Sequence, residues 1–203
     1  MENGDVLRTE KDQRQRAQRV KIIIMDVDGT LTDGSILLLP DGEELKSYHV
    51  MDGLGILLAH LAGLKTGLIT GKTSQPLFKR AERLGITEVH QGILDKTKVL
   101  HQILHKHQIR VGDVAYIGDD LGDLEVIKEA GFAGAPANAH PLIKEQAHFL
   151  CHKEGGKGAV REFIEFILTA QNCWGLIQEN IARVEGPSNT AAEIERQKPK
   201  GKP

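Results

Sequence analysis

Aromatic residues make up only 4% of this 203-residue chain, and it has two cysteines. Scarce aromatics argue against a base-stacking platform for nucleic acid. A formal net charge of -2 removes the bulk positive charge that draws proteins to phosphate backbones. Cys151 and Cys173 form no metal-ligand pattern with His152 and no disulfide framework, as expected of thiols in a reducing compartment. No stretch approaches the ~20 consecutive apolar residues of a membrane span, and the first twenty residues are polar without an apolar core. The expectation is a cytoplasmic protein with neither membrane nor nucleic acid as partner.

What is present is alternation. Residues 20–25 (VKIIIM) read as a buried parallel strand that ends in acid and glycine. Further strands are expected at 65–70, 88–91 and 114–117, with edge strands at 132–135 and 148–151. Helices are expected at 54–61, 74–84, 96–107 and through the i, i+3, i+4, i+7 repeat Val160, Phe163, Ile164, Ile167. Strand and helix in turn predict a three-layer, doubly wound parallel sheet of Rossmann-like type. One segment breaks the pattern: residues 35–50 read as a β-hairpin turning at Pro40-Asp41-Gly42. Its first arm, Ile36 to Leu39, is apolar on both faces, which a lone surface hairpin cannot bury, so an oligomer contact is expected. Domain organisation follows: a loose polar arm over 1–19, one domain over 20–174, and a disordered tail over 175–203.

The chemistry gathers at strand ends. Asp26-Val27-Asp28-Gly29-Thr30 follows the first strand, where open α/β sheets place ligands. In extended chain, residues i and i+2 point the same way, so both carboxylates reach one small volume. Gly118-Asp119-Asp120-Leu121-Gly122-Asp123 follows the strand at 114–117 and would converge on the same edge. Crowded carboxylates repel unless a cation intervenes or one is protonated, and oxygen ligands with room for water suit Mg²⁺. The strand at 65–70 ends in Thr70-Gly71-Lys72, a hydroxyl and a glycine at a helix start that offer backbone N–H groups to an anion. Lys96 opens the following helix and could neutralise a phosphate.

DVDGT, a strand-terminal TG, a lysine and GDDLGD, in that order, resemble the four motifs of haloacid dehalogenase-like phosphatases. Over residues 21–168 the likeness extends further. VDGTLTDG, GEELKSYHVMDGLGI, ITG, RLGI, QGILDK, GDDLGDL, AHPLIK and GGKGAVREFI are similar to 3-deoxy-D-manno-octulosonate 8-phosphate phosphatases of lipopolysaccharide precursor synthesis. The resemblance implies that Asp26 attacks phosphorus to form an aspartyl-phosphate and that Asp28 protonates the leaving alcohol and then activates water. It implies Mg²⁺ held by Asp26, the Asp28 carbonyl and Asp119. Asp123 would orient Lys96 or a metal-bound water, and Thr70, Gly71 and Lys96 would bind phosphoryl oxygens. It also implies no large cap domain, and a homotetramer built through the hairpin with neighbouring subunits helping to close the site.

There are departures. Lys72-Thr73 stands where this family usually has two arginines, and a lysine lacks the bidentate fork that suits a carboxylate. Lys72 is nevertheless the expected contact to an anionic sugar. A nonulosonate 9-phosphate, or sugar phosphates generally, are the alternative substrates. Two non-enzyme readings are a phosphorylated signalling receiver and a pseudo-phosphatase serving in assembly. The DxD spacing disfavours the first, and the full set of catalytic positions disfavours the second.

Overall fold

The structure is a computed structural model that describes residues 9–42 and 44–181. Its centre is strand β1 (Ile22–Met25), four apolar residues with no exposed surface. A parallel six-stranded sheet surrounds it: β4 (Lys65–Ile69) and β5 (Glu88–His90) on one side, β6 (Val114–Ile117), β7 (Phe132–Ala135) and β8 (Phe149–Leu150) on the other. The sheet order is β5-β4-β1-β6-β7-β8. Alternation along β1 divides the core between two faces. Ile23 and Met25 pack with α2 (Val50–Leu61), α3 (Gln75–Arg83) and α7 (Ala159–Ala170), while Ile22 and Ile24 pack with α4 (Lys96–His107), α5 (Leu124–Glu129) and α6 (Pro141–Gln146). This is the three-layer doubly wound architecture expected from the sequence.

Local chemistry sets the helix ends. The Ser74 hydroxyl accepts from Leu77 N at 3.4 Å at the start of α3, and Pro76 falls in the first turn, where a missing N–H costs nothing. Asp95 accepts from Lys98 N at 3.0 Å and caps α4. Asp52 Oδ1 accepts from Arg161 N at 2.8 Å, so α2 supplies the first turn of α7 with an acceptor.

The hairpin insert is present as β2 (Leu37–Leu38) paired antiparallel with β3 (Glu44–Leu45). Its strands are shorter than expected, and Leu37 and Leu38 are 58% and 68% exposed.

Three boundaries differ from the expectation. The arm before residue 19 contains a helix, α1 (Glu10–Ala17), fixed by Gln13 Nε2 to the His148 carbonyl at 2.8 Å and Arg16 Nη1 to the Gly131 carbonyl at 3.1 Å. Its only fully buried side chain is Ala17, so there was no apolar stripe for periodicity to register. Strand β7 lies inside the sheet rather than at its edge, because β8 pairs with its outer side. At the other end α8 (Trp174–Asn180) crosses the expected boundary at 174, with Ile177 buried and Trp174 Nε1 donating to Thr169 Oγ1 at 2.9 Å. The rest of the expected tail, from residue 182, lies outside the described residues.

Candidate active site

Strand order reverses at β1. From it the chain winds outward through β4 and β5, then returns to its other side at β6. Such a switch point opens a crevice beyond the carboxyl ends of the strands, and both acidic clusters empty into it. Met25 is in register with Leu68 and Ile117, so Asp26 and Gly118 leave the sheet at the same height, and β4 runs one residue further before Thr70.

A buried ionic centre forms there. Lys96 Nζ donates to Asp26 Oδ1 at 2.5 Å and to Asp123 Oδ1 at 2.6 Å, and all three side chains are less than a tenth exposed. Lys96 is the first residue of α4, where a cation opposes the helix dipole. Such a local violation is expected at sites kept for function. Asp123 is over-determined: besides Lys96, Oδ1 accepts from the Tyr116 hydroxyl at 2.5 Å, and Oδ2 accepts from the backbone N–H of Asp119 at 3.1 Å and of Asp120 at 3.3 Å. Asp119 Oδ1 accepts from Thr30 Oγ1 at 2.8 Å, which joins the two acidic loops.

Burial pushes the Asp26 carboxyl up to about 7, with the charge of Asp123 adding to the rise and Lys96 opposing it. Burial likewise pushes Asp119 up to about 6, with the Thr30 hydroxyl opposing and Asp123 and Asp120 adding. For Lys96 burial works against the ammonium, but Asp26 and Asp123 outweigh it and hold the group above its ordinary value.

One lysine does not balance three acids. Oxygens of Asp26, Asp119 and Asp123 lie within 4.8 Å of one another, and their crowding calls for further positive charge. The donors are all oxygen and the cluster opens on one side through half-buried Asp119, which suits Mg²⁺ with its retained waters. Backbone also approaches closely here. A Cβ on Gly29, whose φ is +95°, would sit 2.0 Å from Asp119 Oδ2, and one on Gly155 would sit 1.7 Å from the Gly29 carbonyl. The GGKG segment therefore braces the loop that carries Asp26 and Asp28.

The remaining expected residues fall at the same edge. Asp28 is partly exposed and takes an ion pair from Lys46, while its Oδ2 is buried without a partner. Thr70 is buried at the end of β4, its hydroxyl accepting from Lys72 N at 3.3 Å. Gly71 and Lys72 are exposed. Two members escaped the sequence reading. Tyr116 carried a signal, since a tyrosine in a fully buried strand must find a partner for its hydroxyl. Lys46 carried none, because a lysine in a hairpin reads as solvated.

Residues 78–164 match the family model of haloacid dehalogenase-like hydrolases. Over 158 residues the chain is 43% identical to the 3-deoxy-D-manno-octulosonate 8-phosphate phosphatase KdsC of Yersinia pestis, covering 78% of this chain and 84% of that protein. This chain belongs to the 3-deoxy-D-manno-octulosonate 8-phosphate phosphatase family. It is thereby a haloacid dehalogenase-like hydrolase and a phosphatase. Among solved structures of the family, one from Moraxella catarrhalis is a complex with magnesium ion, phosphate ion and KDO. It is 38% identical, with a TM-score of 0.82 over 84% of this chain and 98% of that one. The cobalt-bound phosphatase of Haemophilus influenzae is 36% identical, with a TM-score of 0.76 over 78% and 92%.

Proposed function

We propose that this chain hydrolyses 3-deoxy-D-manno-octulosonate 8-phosphate to the free sugar acid and inorganic phosphate, through an aspartyl-phosphate on Asp26. The observation that carries the reading is the centre formed by Asp26, Lys96, Asp123 and Asp119 at the switch point of the sheet. In the first step an Asp26 carboxylate oxygen bonds to phosphorus. The ester P–O bond breaks with its electron pair going to the sugar oxygen, which takes a proton from Asp28. In the second, water attacks the same phosphorus and gives its proton to Asp28. The Asp26 oxygen leaves as carboxylate and phosphate is released. Lys96, fixed by Asp123, neutralises charge on the nucleophile and the phosphoryl group, while Thr70 and Gly71 hold phosphoryl oxygens. Mg²⁺ bound by Asp26, the Asp28 carbonyl and Asp119 would supply the remaining countercharge on the transferred group.

The phosphate-handling groups serve any phosphomonoester, so selectivity belongs to what meets the other end of the sugar. Lys72 is exposed just beyond Thr70 and Gly71 and would meet the substrate carboxylate. The exposed leucines of the hairpin support a homotetramer in which a neighbouring chain helps close that end. Among the described residues no helix is long and apolar enough to cross a membrane, in keeping with a cytoplasmic step of lipopolysaccharide precursor synthesis. Because Lys72 replaces the family's usual arginine, a nonulosonate 9-phosphate and neutral sugar phosphates form the second reading. The test is kcat/KM over a panel of both kinds of ester with Mg²⁺. The octulosonate ester is expected to lead, with Lys72→Ala raising its KM and barely changing turnover of p-nitrophenyl phosphate. Neutral sugar phosphates that equal or exceed it would make this a generic sugar phosphatase.

A further inference from the structure

The hairpin reaches the catalytic centre at one point. Lys46 follows β3, and its Nζ pairs with Asp28 Oδ1. The Lys46 side chain is 4% exposed although the leucines that precede it stand in solvent. Its ammonium has thus been drawn inward, against the usual tendency of lysine to keep its charge in water. The other oxygen, Asp28 Oδ2, is buried and unpartnered, and so is the Tyr48 hydroxyl two residues beyond Lys46. A buried carboxylate oxygen left without a donor is costly unless something else completes it.

We infer that Lys46 is a positioning residue: it pins Asp28 by Oδ1 so that Oδ2 is the atom offered to the leaving oxygen and then to water. Its attachment to the hairpin makes the placement of the acid/base group depend on the seating of the insert. This inference rests on the phosphatase reading above and assigns to the insert a part in the chemistry as well as in assembly. A carboxylate free to rotate would spend much of its time with neither oxygen aimed at the scissile bond, and about 1 Å of misplacement costs on the order of 10²-fold in rate.

The experiment compares the full chain with Lys46→Met, Lys46→Arg, Asp28→Asn and the Asp28→Asn/Lys46→Met double variant. Each is assayed with Mg²⁺ on octulosonate 8-phosphate, a poor leaving group, and on p-nitrophenyl phosphate, which leaves without needing a proton. Lys46→Met is expected to lower kcat on the sugar ester by about 10²-fold. KM for that ester, and the pre-steady-state burst of p-nitrophenol, should move by less than about twofold, the scatter of independent sites. Lys46→Arg should recover most of the loss. Adding Lys46→Met to Asp28→Asn should cost little more than Asp28→Asn alone, because the two act as a unit. A raised KM with unchanged kcat would make Lys46 a substrate contact and overturn the inference. A burst slowed as much as turnover of the sugar ester, or additive losses in the double variant, would overturn it as well. Failure of the unaltered chain to hydrolyse either ester would instead sink the phosphatase reading, and with it the inference.

Discussion

Asp26 accepts from Lys96 at 2.5 Å, and the lysine reaches it from the first residue of α4, seventy residues further along the chain. The pair is closed off from water and shared with Asp123, so Asp26 is buried at a fixed distance from its countercharge. This arrangement suits the proposed nucleophile, whose carboxylate charge is matched by Lys96 until it bonds to phosphorus, after which the same ammonium faces the phosphoryl oxygens.

Asp26→Asn should abolish phosphatase activity, since an amide is no nucleophile, while the isosteric side chain leaves the fold intact. Asp28→Asn should lose about 10²–10⁴-fold in kcat, the range of a general acid/base group. Steady-state assay with circular dichroism checks both. Ordinary turnover by the Asp26 variant would remove the aspartyl-phosphate mechanism.

Activity should require a hard divalent cation and disappear in excess chelator. Asp119→Ala should weaken Mg²⁺ binding, read by titration calorimetry, far more than Asp120→Ala. The two acids are neighbours with different tasks: Asp119 faces Asp26 and Asp123 within 4.8 Å, whereas exposed Asp120 spends its Oδ1 on Leu121 N at 2.8 Å. Equal weakening by the two substitutions would contradict this division.

Gly29→Ala should damage the site although it removes no functional group. The added Cβ would collide with Asp119 Oδ2, at 2.0 Å, on a backbone with φ +95° that other residues rarely adopt. A loss of about 1–3 kcal/mol in stability is expected from the strained backbone. A fall of about 10²-fold in kcat should come from displacing Asp119. An active, normally stable Gly29→Ala protein would mean that the loop has slack the structure does not display.

The protein should be a tetramer of its 22.3 kDa chains, and Leu38→Asp should break it. Leu38 is 68% exposed in the single chain, so a carboxylate there costs the monomer nothing but would be desolvated in a packed interface. Light scattering decides the matter: a monomeric parent protein, or an unaltered assembly in the variant, counts against the hairpin contact.

Much of the site was legible because strand ends and acid spacing are local properties. DVDGT and GDDLGD announce their positions once the preceding runs are read as buried parallel strands, and the order of the sheet then brings them together. What stayed hidden depends on tertiary partners. The Lys46 contact with Asp28 spans eighteen residues and a hairpin whose path no periodicity fixes. Helix α1 is held by hydrogen bonds to the His148 and Gly131 carbonyls, more than a hundred residues away in sequence, rather than by an apolar face. Strands at 132–135 and 148–151 were both legible as apolar runs, but that β8 pairs along the outer side of β7, and so leaves β7 inside the sheet, is a tertiary relation no local run displays.

His148 gives the last prediction, on acid stability. Its ring stacks on Phe132 with centroids 6.4 Å apart, its Nδ1 accepts from Ala133 N at 2.9 Å, and it is buried at the edge of the sheet. Burial lowers its pKa to about 4, with the charge of Arg16 adding to the fall and Asp12 opposing it. In the folded chain, therefore, the ring stays neutral where the unfolded chain's histidine, near its ordinary value of about 6.5, already binds a proton. The sign follows from proton counting: between these two values the unfolded state holds more protons, so stability is fully present above about 6.5 and is lost as pH falls toward 4. The loss attributable to this group is at most about 3 kcal/mol, since a tenfold change in proton affinity is worth about 1.4 kcal/mol. Urea unfolding followed from pH 7 to pH 4 should show it as a falling midpoint. His148→Gln, which keeps a hydrogen-bond acceptor but cannot take the proton, should start less stable and lose less across the same interval. If the variant and the parent chain lose stability in parallel, the acid sensitivity lies in other groups, and His148 is only a well-packed ring.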